Sequence, residues 1–266
     1  LPYEYAGTIP NKALKKRMAE IGAISKESGQ AYYVGDQILF SIGQGLLSAT
    51  PIQVASAYGV LGNGGNVMQP HVVKAVLAPG TPDIKPGVAD ISFMNIPGSS
   101  QVVERFDDEA PTNTLDMTGD RRDPIVRGLQ RVIRGPGVNF GSYHKTTGEL
   151  LFRGYPYAEL PIAGKTGTAQ GLGNLPWNDS SAFGAFSLSP RSEYKYSAFA
   201  YLEKSGYGSQ AAAPVVKCMY VALAGKYRFD PINAADPLNT NSSLAAQPTY
   251  LRNPSCLVSG RSESRD

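Results

Sequence analysis

A lysine followed by a hydroxyl, a glycine and a second hydroxyl, as in Lys165-Thr166-Gly167-Thr168, combines a positive charge, two hydroxyl groups and an uncluttered stretch of backbone. On a strand edge such a run is one of the three motifs from which serine acyl-transfer sites are built. The flanks predict that strand: Leu160-Pro161-Ile162-Ala163 reads as its entry, and Ala169-Gln170-Gly171-Leu172-Gly173 onward reads as loop. Gly164-Lys165-Thr166 also matches the end of a phosphate-binding G-x-x-x-x-G-K-[ST] loop. That reading fails, because Glu159 stands where glycine is needed and no helix follows the threonine. Taken alone, the tetrapeptide fits a solvated surface turn as readily as a site.

The element that precedes it has clear punctuation. Thr50 suits a helix N-cap, Pro51 the first helical position where its missing N–H costs nothing, and Gln53 the far side of a capping box. This predicts a helix over 51–61, stopped by Gly62-Asn63-Gly64-Gly65. In chain order, Gly43-Gln44-Gly45, Ala49-Thr50-Pro51-Ile52-Gln53, Gly62-Asn63-Gly64-Gly65 and Ala163-Gly164-Lys165-Thr166-Gly167-Thr168-Ala169 resemble the transpeptidase domain of penicillin-binding proteins, of the class B, monofunctional type. The resemblance runs from Tyr3 to Lys226. It implies an α+β fold, an antiparallel sheet flanked by helices of the penicillin-binding serine transpeptidase kind, incomplete at its N-terminus. Residues 1–227 are then the C-terminal part of the transpeptidase domain.

Such a domain carries S-x-x-K with the nucleophilic serine, then S-x-N or S-x-D, then K-T-G. The first two belong before the G-Q-G segment, and neither occurs among the 42 residues preceding Gly43. Two S-x-x-K matches elsewhere, beginning at Ser142 and Ser192, read as decoys: one lies in a Gly-rich loop, the other in a tight turn after Pro190. The S-x-D at Ser264 is the chain terminus. Loss of a nucleophilic serine costs about a million-fold in turnover, whereas one oxyanion donor is worth only ~3 kcal/mol. The chain is therefore read as part of a longer protein and as inactive by itself.

What the resemblance implies is a D,D-transpeptidase whose serine attacks the carbonyl between two D-alanines of a peptidoglycan stem peptide, expels the last one and passes the acyl group to an amine. Beta-lactams mimic that dipeptide. The catalytic residues expected in this chain are Lys165 and Thr168, and the substrate-binding residues Thr166, Gly167 and Thr168. The Thr168 N–H would be one oxyanion donor and its hydroxyl would hold the substrate carboxylate. Lys165 would add positive charge, and Gly167 would let substrate lie along the strand edge. Thr166 fits either a substrate contact or a core position. Trp177, Asn178 and Asp179 are candidates for the cleft wall, although a sole tryptophan also fits a structural role. The resemblance implies no metal and no cofactor, and a parent protein anchored in the plasma membrane with its catalytic domain outside the cytoplasm, working with cell-wall synthesis machinery. A non-catalytic scaffold of the same fold is the rival reading, and a serine beta-lactamase a third.

Composition is compatible with this. The 266 residues are 42% hydrophobic and 18% charged, enough to bury a core. The net charge of +3 is spread over Lys12, Lys15, Lys16 and Arg17 on one helix and Arg121, Arg122, Arg127, Arg131 and Arg134 around another, which reads as solvated faces, not a nucleic-acid stripe. Two cysteines, Cys218 and Cys256, are too few for a disulfide framework or a metal site, and Cys218 reads as a core residue. The only histidines are His71 and His144, with no supporting catalytic motif. No apolar run approaches ~18 residues.

The remaining elements follow from periodicity. Asn11 caps a helix with Leu14, Met18 and Ile21 on one face. Short strands are expected at 72–78 and 101–105, and an acidic loop at 106–120. A helix starts at Asp123-Pro124, buries Ile125, Val126, Leu129, Val132 and Ile133, and ends at Gly135. Strands at about 160–169, 182–189 and 194–203 make an antiparallel sheet, and a helix after Pro214 packs Val215, Met219 and Ala222 on it. Residues 228–266, rich in Asn, Ser, Pro and Ala, read as a disordered tail.

Overall fold

The computed structural model describes residues 4–73, 75–79, 102–106, 110–135, 146–149, 151–152, 155, 157, 161–171, 179–188 and 196–227. The chain divides into two compact units, Leu1–Val54 and Ala55–Asp266. The sequence readings placed on Ser142, His144, Trp177, Asn178, Ser192, Cys256 and the 228–266 tail lie outside the described residues.

In the first unit, α1 (Lys12–Glu20) starts where expected, with the Asn11 side chain accepting from Leu14 N at 2.8 Å. Its faces are not as expected. Lys15, read as solvated, is 5% exposed, whereas Ile21 is 71% exposed. The reason is a carboxylate that periodicity could not foresee: Lys15 Nζ lies 2.5 Å from Asp36 Oδ2 and 4.6 Å from the centroid of the Tyr33 ring. Asp36 sits in the first turn of α2 (Val34–Ser41), a helix beyond those expected from the sequence. The same carboxylate accepts from Tyr33 N at 2.7 Å, so one aspartate caps α2 and pairs with α1. Those two hydrogen bonds, Lys15 first, hold its carboxyl below the ordinary range.

The capping box at α3 (Pro51–Asn63) is present as read, with Gln53 N donating to Thr50 Oγ1 at 3.3 Å and Thr50 N donating to Gln53 Oε1 at 3.0 Å. At its other end the Asn63 side chain accepts from Gly65 N and Asn66 N.

The second unit is built on a three-stranded antiparallel sheet in the order β5-β6-β7, with β5 (Ile162–Ala169) at the edge, β6 (Ser180–Ser187) in the centre and β7 (Ser197–Leu202) beyond. Before it come two small antiparallel ribbons. One pairs β1 (Asn66–Val67) with β4 (Asn113–Thr114), and the other pairs β2 (Ala75–Leu77) with β3 (Val102–Arg105). The sheet carries packed apolar residues on both faces. On one face Ile162, Phe183, Ala185 and Ala198 pack with Ala213, Val216 and Tyr220 of α5 (Ala212–Tyr227). On the other, Ala163 and Phe186 pack with Val126 of α4 (Gly119–Arg134) and with Tyr58 and Leu61 of α3.

Four expectations shift here. Helix α4 starts at Gly119, one turn before Asp123-Pro124, because the Thr118 carbonyl accepts from Arg121 N and Arg122 N. Pro124, inside the helix, forgoes only one backbone bond. Arg122, read as solvated, is instead a cap: Nε donates to Leu61 O at 2.7 Å and NH2 donates to Gly62 O at 3.3 Å, satisfying the last carbonyls of α3. Helix α5 buries a stripe offset by one residue from the expected one: Val216, Lys217 and Tyr220 are buried, and Met219 is 43% exposed. Tyr220 sets that rotation, since its hydroxyl lies within donating reach of two backbone acceptors, the buried Ala185 O (3.1 Å) and the half-buried Tyr196 O (2.9 Å). Cys218, read as a core residue, is half-buried.

Candidate active site

The geometry of β5 determines what Lys165-Thr166-Gly167-Thr168 can do. The strand pairs with β6 in the register Lys165↔Gly184, Gly167↔Ala182 and Thr168↔Ser181. Leu188 N donates to Pro161 O at 2.7 Å, so positions 161, 163, 165 and 167 are the hydrogen-bonded pairs of this antiparallel ladder. Gly164, Thr166 and Thr168 therefore aim their own N–H and C=O groups away from β6, out along the sheet edge. An extended chain laid against that edge would meet these groups first.

Side chains alternate along the same strand. Lys165 and Gly167 share the face of Ala163, which packs toward α3 and α4. Thr166 and Thr168 share the face of Ile162, which packs toward α5. Lys165 is exposed and curls round the edge, with Nζ donating to Thr166 O at 2.8 Å and lying 3.4 Å from Thr166 Oγ1. Thr166 Oγ1 in turn donates to Thr147 Oγ1 at 3.1 Å. The Thr168 hydroxyl has another partner, accepting from Gly208 N at 3.3 Å. Of the four motif residues, the fold thus brings Lys165 and Thr166 together and gives Thr168 a separate partner.

Two supporting residues were missed at the sequence level. Gly208 lies so close that a Cβ there would stand 2.4 Å from Gly167 O and 2.6 Å from Ala182 O, so only glycine lets this loop back the strand. Thr147 lies in a turn after α4, and the signal that could have found it is the Thr146-x-x-Glu149 spacing of a capping turn. Asp179 is not free to face substrate: its side chain accepts from Gly171 N at 3.0 Å, and its carbonyl accepts from Ser205 N and Gly206 N. It closes the loop that leaves β5. His71 is engaged with Val73 O at 2.7 Å.

The shifted ionisable groups of this unit lie in the core or pack against it. Burial brings Lys217 down to about 8, with Nζ donating to Leu151 O at 2.8 Å, and the same cause pushes Tyr155 and Tyr220 up. Among the described residues no cluster of three or more His, Cys, Asp or Glu side chains is placed to hold a metal, and no helix is long and apolar enough to cross a membrane.

Comparison with known families decides what this edge belongs to. The penicillin-binding protein transpeptidase domain matches residues 16–220. The chain belongs to that family. This transpeptidase-family chain is 27% identical over 239 residues to the peptidoglycan D,D-transpeptidase MrdA of Salmonella typhimurium, covering 86% of the chain and 31% of the relative. Against MrdA of Haemophilus influenzae the figures are 28% over 226 residues, 80% and 28%. Against that of Acinetobacter baumannii they are 30% over 170 residues, 64% and 19%. The transpeptidase-family chain thus spans less than a third of the length of these relatives. Its fold is also similar to a chain from "Structural coordination of polymerization and crosslinking by a peptidoglycan synthase complex", with a TM-score of 0.51 and 20% identity over 86% of this chain and 30% of that one. The penicillin-binding transpeptidase fold is thereby shown, and with it the α+β architecture.

Proposed function

We propose that this chain supplies the substrate-holding strand of a D,D-transpeptidase that cross-links peptidoglycan stem peptides. The observation that carries the reading is an intact Lys165-Thr166-Gly167-Thr168 run on a sheet edge, with the Thr166 and Thr168 peptide groups aimed outward, in a chain of this family. A stem peptide would lie along β5 as an added strand. The Thr168 N–H would donate to the carbonyl oxygen as it becomes an oxyanion, and the Thr168 hydroxyl and Lys165 ammonium would face the terminal carboxylate. Gly167 leaves the strand without a side chain where the peptide passes.

The nucleophile is proposed to be a serine in polypeptide outside this chain. Its hydroxyl oxygen attacks the penultimate D-alanine carbonyl, its proton passes to a neighbouring base, the base returns that proton to the amide nitrogen as the C–N bond breaks, and the terminal D-alanine leaves as the free amine. An amine from a second stem peptide then displaces the serine. Beta-lactams would stop the sequence at the acyl-enzyme. On this reading the chain alone does not turn over, and the parent protein is held at the plasma membrane with this domain outside the cytoplasm, beside other cell-wall synthesis proteins.

The test uses the natural full-length polypeptide and a fluorescent penicillin. A covalent adduct should form, and Lys165→Ala or Thr168→Val should slow its formation by about a hundred-fold or more, the scale of one lost transition-state contact. No adduct from the unaltered, folded protein would exclude the enzyme and favour a scaffold of this fold.

A further inference from the structure

We propose that Thr147 is a positioning residue that fixes Thr166 and, through it, the Lys165 ammonium. The inference rests on the reading of β5 as the substrate-holding strand, but its first test does not depend on catalysis. The chain of contacts is continuous: Lys165 Nζ lies 3.4 Å from Thr166 Oγ1, and Thr166 Oγ1 donates to Thr147 Oγ1 at 3.1 Å. A hydroxyl has one proton and two lone pairs. Committing the Thr166 proton to Thr147 turns a lone pair of that oxygen toward the ammonium, and it holds the side chain beside the Thr166 carbonyl that Lys165 also reaches at 2.8 Å.

Thr147 can act as a fixed post because its turn is bolted to the end of α4. Thr146 Oγ1 and Gly148 N both donate to Val132 O at 3.0 Å, and Thr146 N donates to Glu149 Oε2 at 3.3 Å. A Cβ at position 148 would stand 2.6 Å from Val132 O, so glycine is what allows the turn to seat so closely. No side chain from β6 or α5 is needed for this: α4 sets the turn, the turn sets Thr147, and Thr147 sets the rotamer at the strand edge. The lysine of the motif would otherwise be a long, exposed side chain with many accessible rotamers.

The experiment reads the lysine directly. The full-length protein is labelled briefly with an amine-reactive reagent such as trinitrobenzenesulfonate, and modification of Lys165 is measured by peptide mass relative to Lys16, an exposed lysine with 74% of its side-chain surface accessible. Thr147→Val should raise the Lys165 ratio by about three-fold, the change expected from releasing one solvent-accessible hydrogen bond, while Thr147→Ser, which keeps the hydroxyl, should leave it near the unaltered value. Thr166→Val breaks the same link from the other side, together with the oxygen that Lys165 reaches, and serves if Thr147→Val does not fold. The double variant should match Thr166→Val alone. An unchanged ratio in Thr147→Val, an equal rise in Thr147→Ser, or additive effects in the double variant would each overturn the proposal. In the full-length protein Thr147→Val should also slow penicillin adduct formation with Thr147→Ser restoring it. If the unaltered protein forms no adduct while the labelling result holds, the enzyme reading fails and the positioning role stands.

Discussion

At the scale of single residues, two basic side chains that donate to backbone carbonyls, Arg122 and Lys217, each make a prediction. Arg122 forks onto Leu61 O and Gly62 O. Arg122→Met should lower unfolding free energy by about 1–2 kcal/mol in urea titrations, and Arg122→Lys should recover little, because an ammonium cannot reproduce the planar fork. Lys217 is 1% exposed, and burial holds it at about 8 against an ordinary 10.5. Below pH 8 both folded and unfolded chains carry its proton. Between pH 8 and 10 the unfolded chain binds the proton and the folded chain does not, so stability should rise with pH over that window, by at most about 1.4 kcal/mol per pH unit. Above pH 10 the trend should reverse, since Tyr155 and Tyr220 stay protonated in the fold when the unfolded chain releases theirs. Lys217→Met should flatten the rise. A slope of the opposite sign between pH 8 and 10 would exclude this origin.

At the scale of elements, local signals marked where α1 and α3 begin but not which way α1 and α5 face. The Asn11 cap and the Thr50-Gln53 box are short-range chemistry and were legible from four residues each. The rotation of α5 was not, because the acceptors that Tyr220 seeks lie 24 and 35 residues away in sequence. Helix α2 went unassigned because its start depends on Asp36, whose second partner Lys15 is 21 residues back. The site shows the same division. Lys165 to Thr168 could be read as a strand edge, yet Thr147 and Gly208 meet that strand across 19 and 40 residues. Gly208→Ala tests the backing of the strand. Its Cβ would press on the carbonyls of Gly167 and Ala182, so the variant should lose at least about 2 kcal/mol of stability and show faster amide exchange at Gly208. Unchanged stability would mean the loop yields easily.

For the molecule as a whole, the first unit poses a solubility problem. Among its described residues no Val, Ile, Leu, Met, Phe or Tyr side chain is buried, whereas Val34, Ile38 and Ile42 are 78%, 59% and 68% exposed on successive turns of α2 and its C-cap. Apolar surface of this continuity favours association. The isolated chain should self-associate at tens of micromolar by light scattering, and Val34→Lys with Ile38→Lys should shift it toward monomer. A monodisperse unaltered monomer would contradict the expectation. The second unit has its own two-faced core and should hold the cooperative transition.

Residue identity by itself determined the chemistry on offer: a lysine, two hydroxyls and a glycine on a strand, in a family-specific order with the G-Q-G and A-T-P-I-Q segments. It also determined the helix caps, since those depend on bonds between near neighbours. Only the tertiary structure decided that β5 is an edge, that Thr166 and Thr168 direct their peptide groups outward, and that Thr168 leans on Gly208 while Lys165 reaches Thr166. Those outcomes depend on strand order, register and close approach between distant segments, which sequence periodicity does not encode because it reports only which residues prefer burial and not what they will meet there.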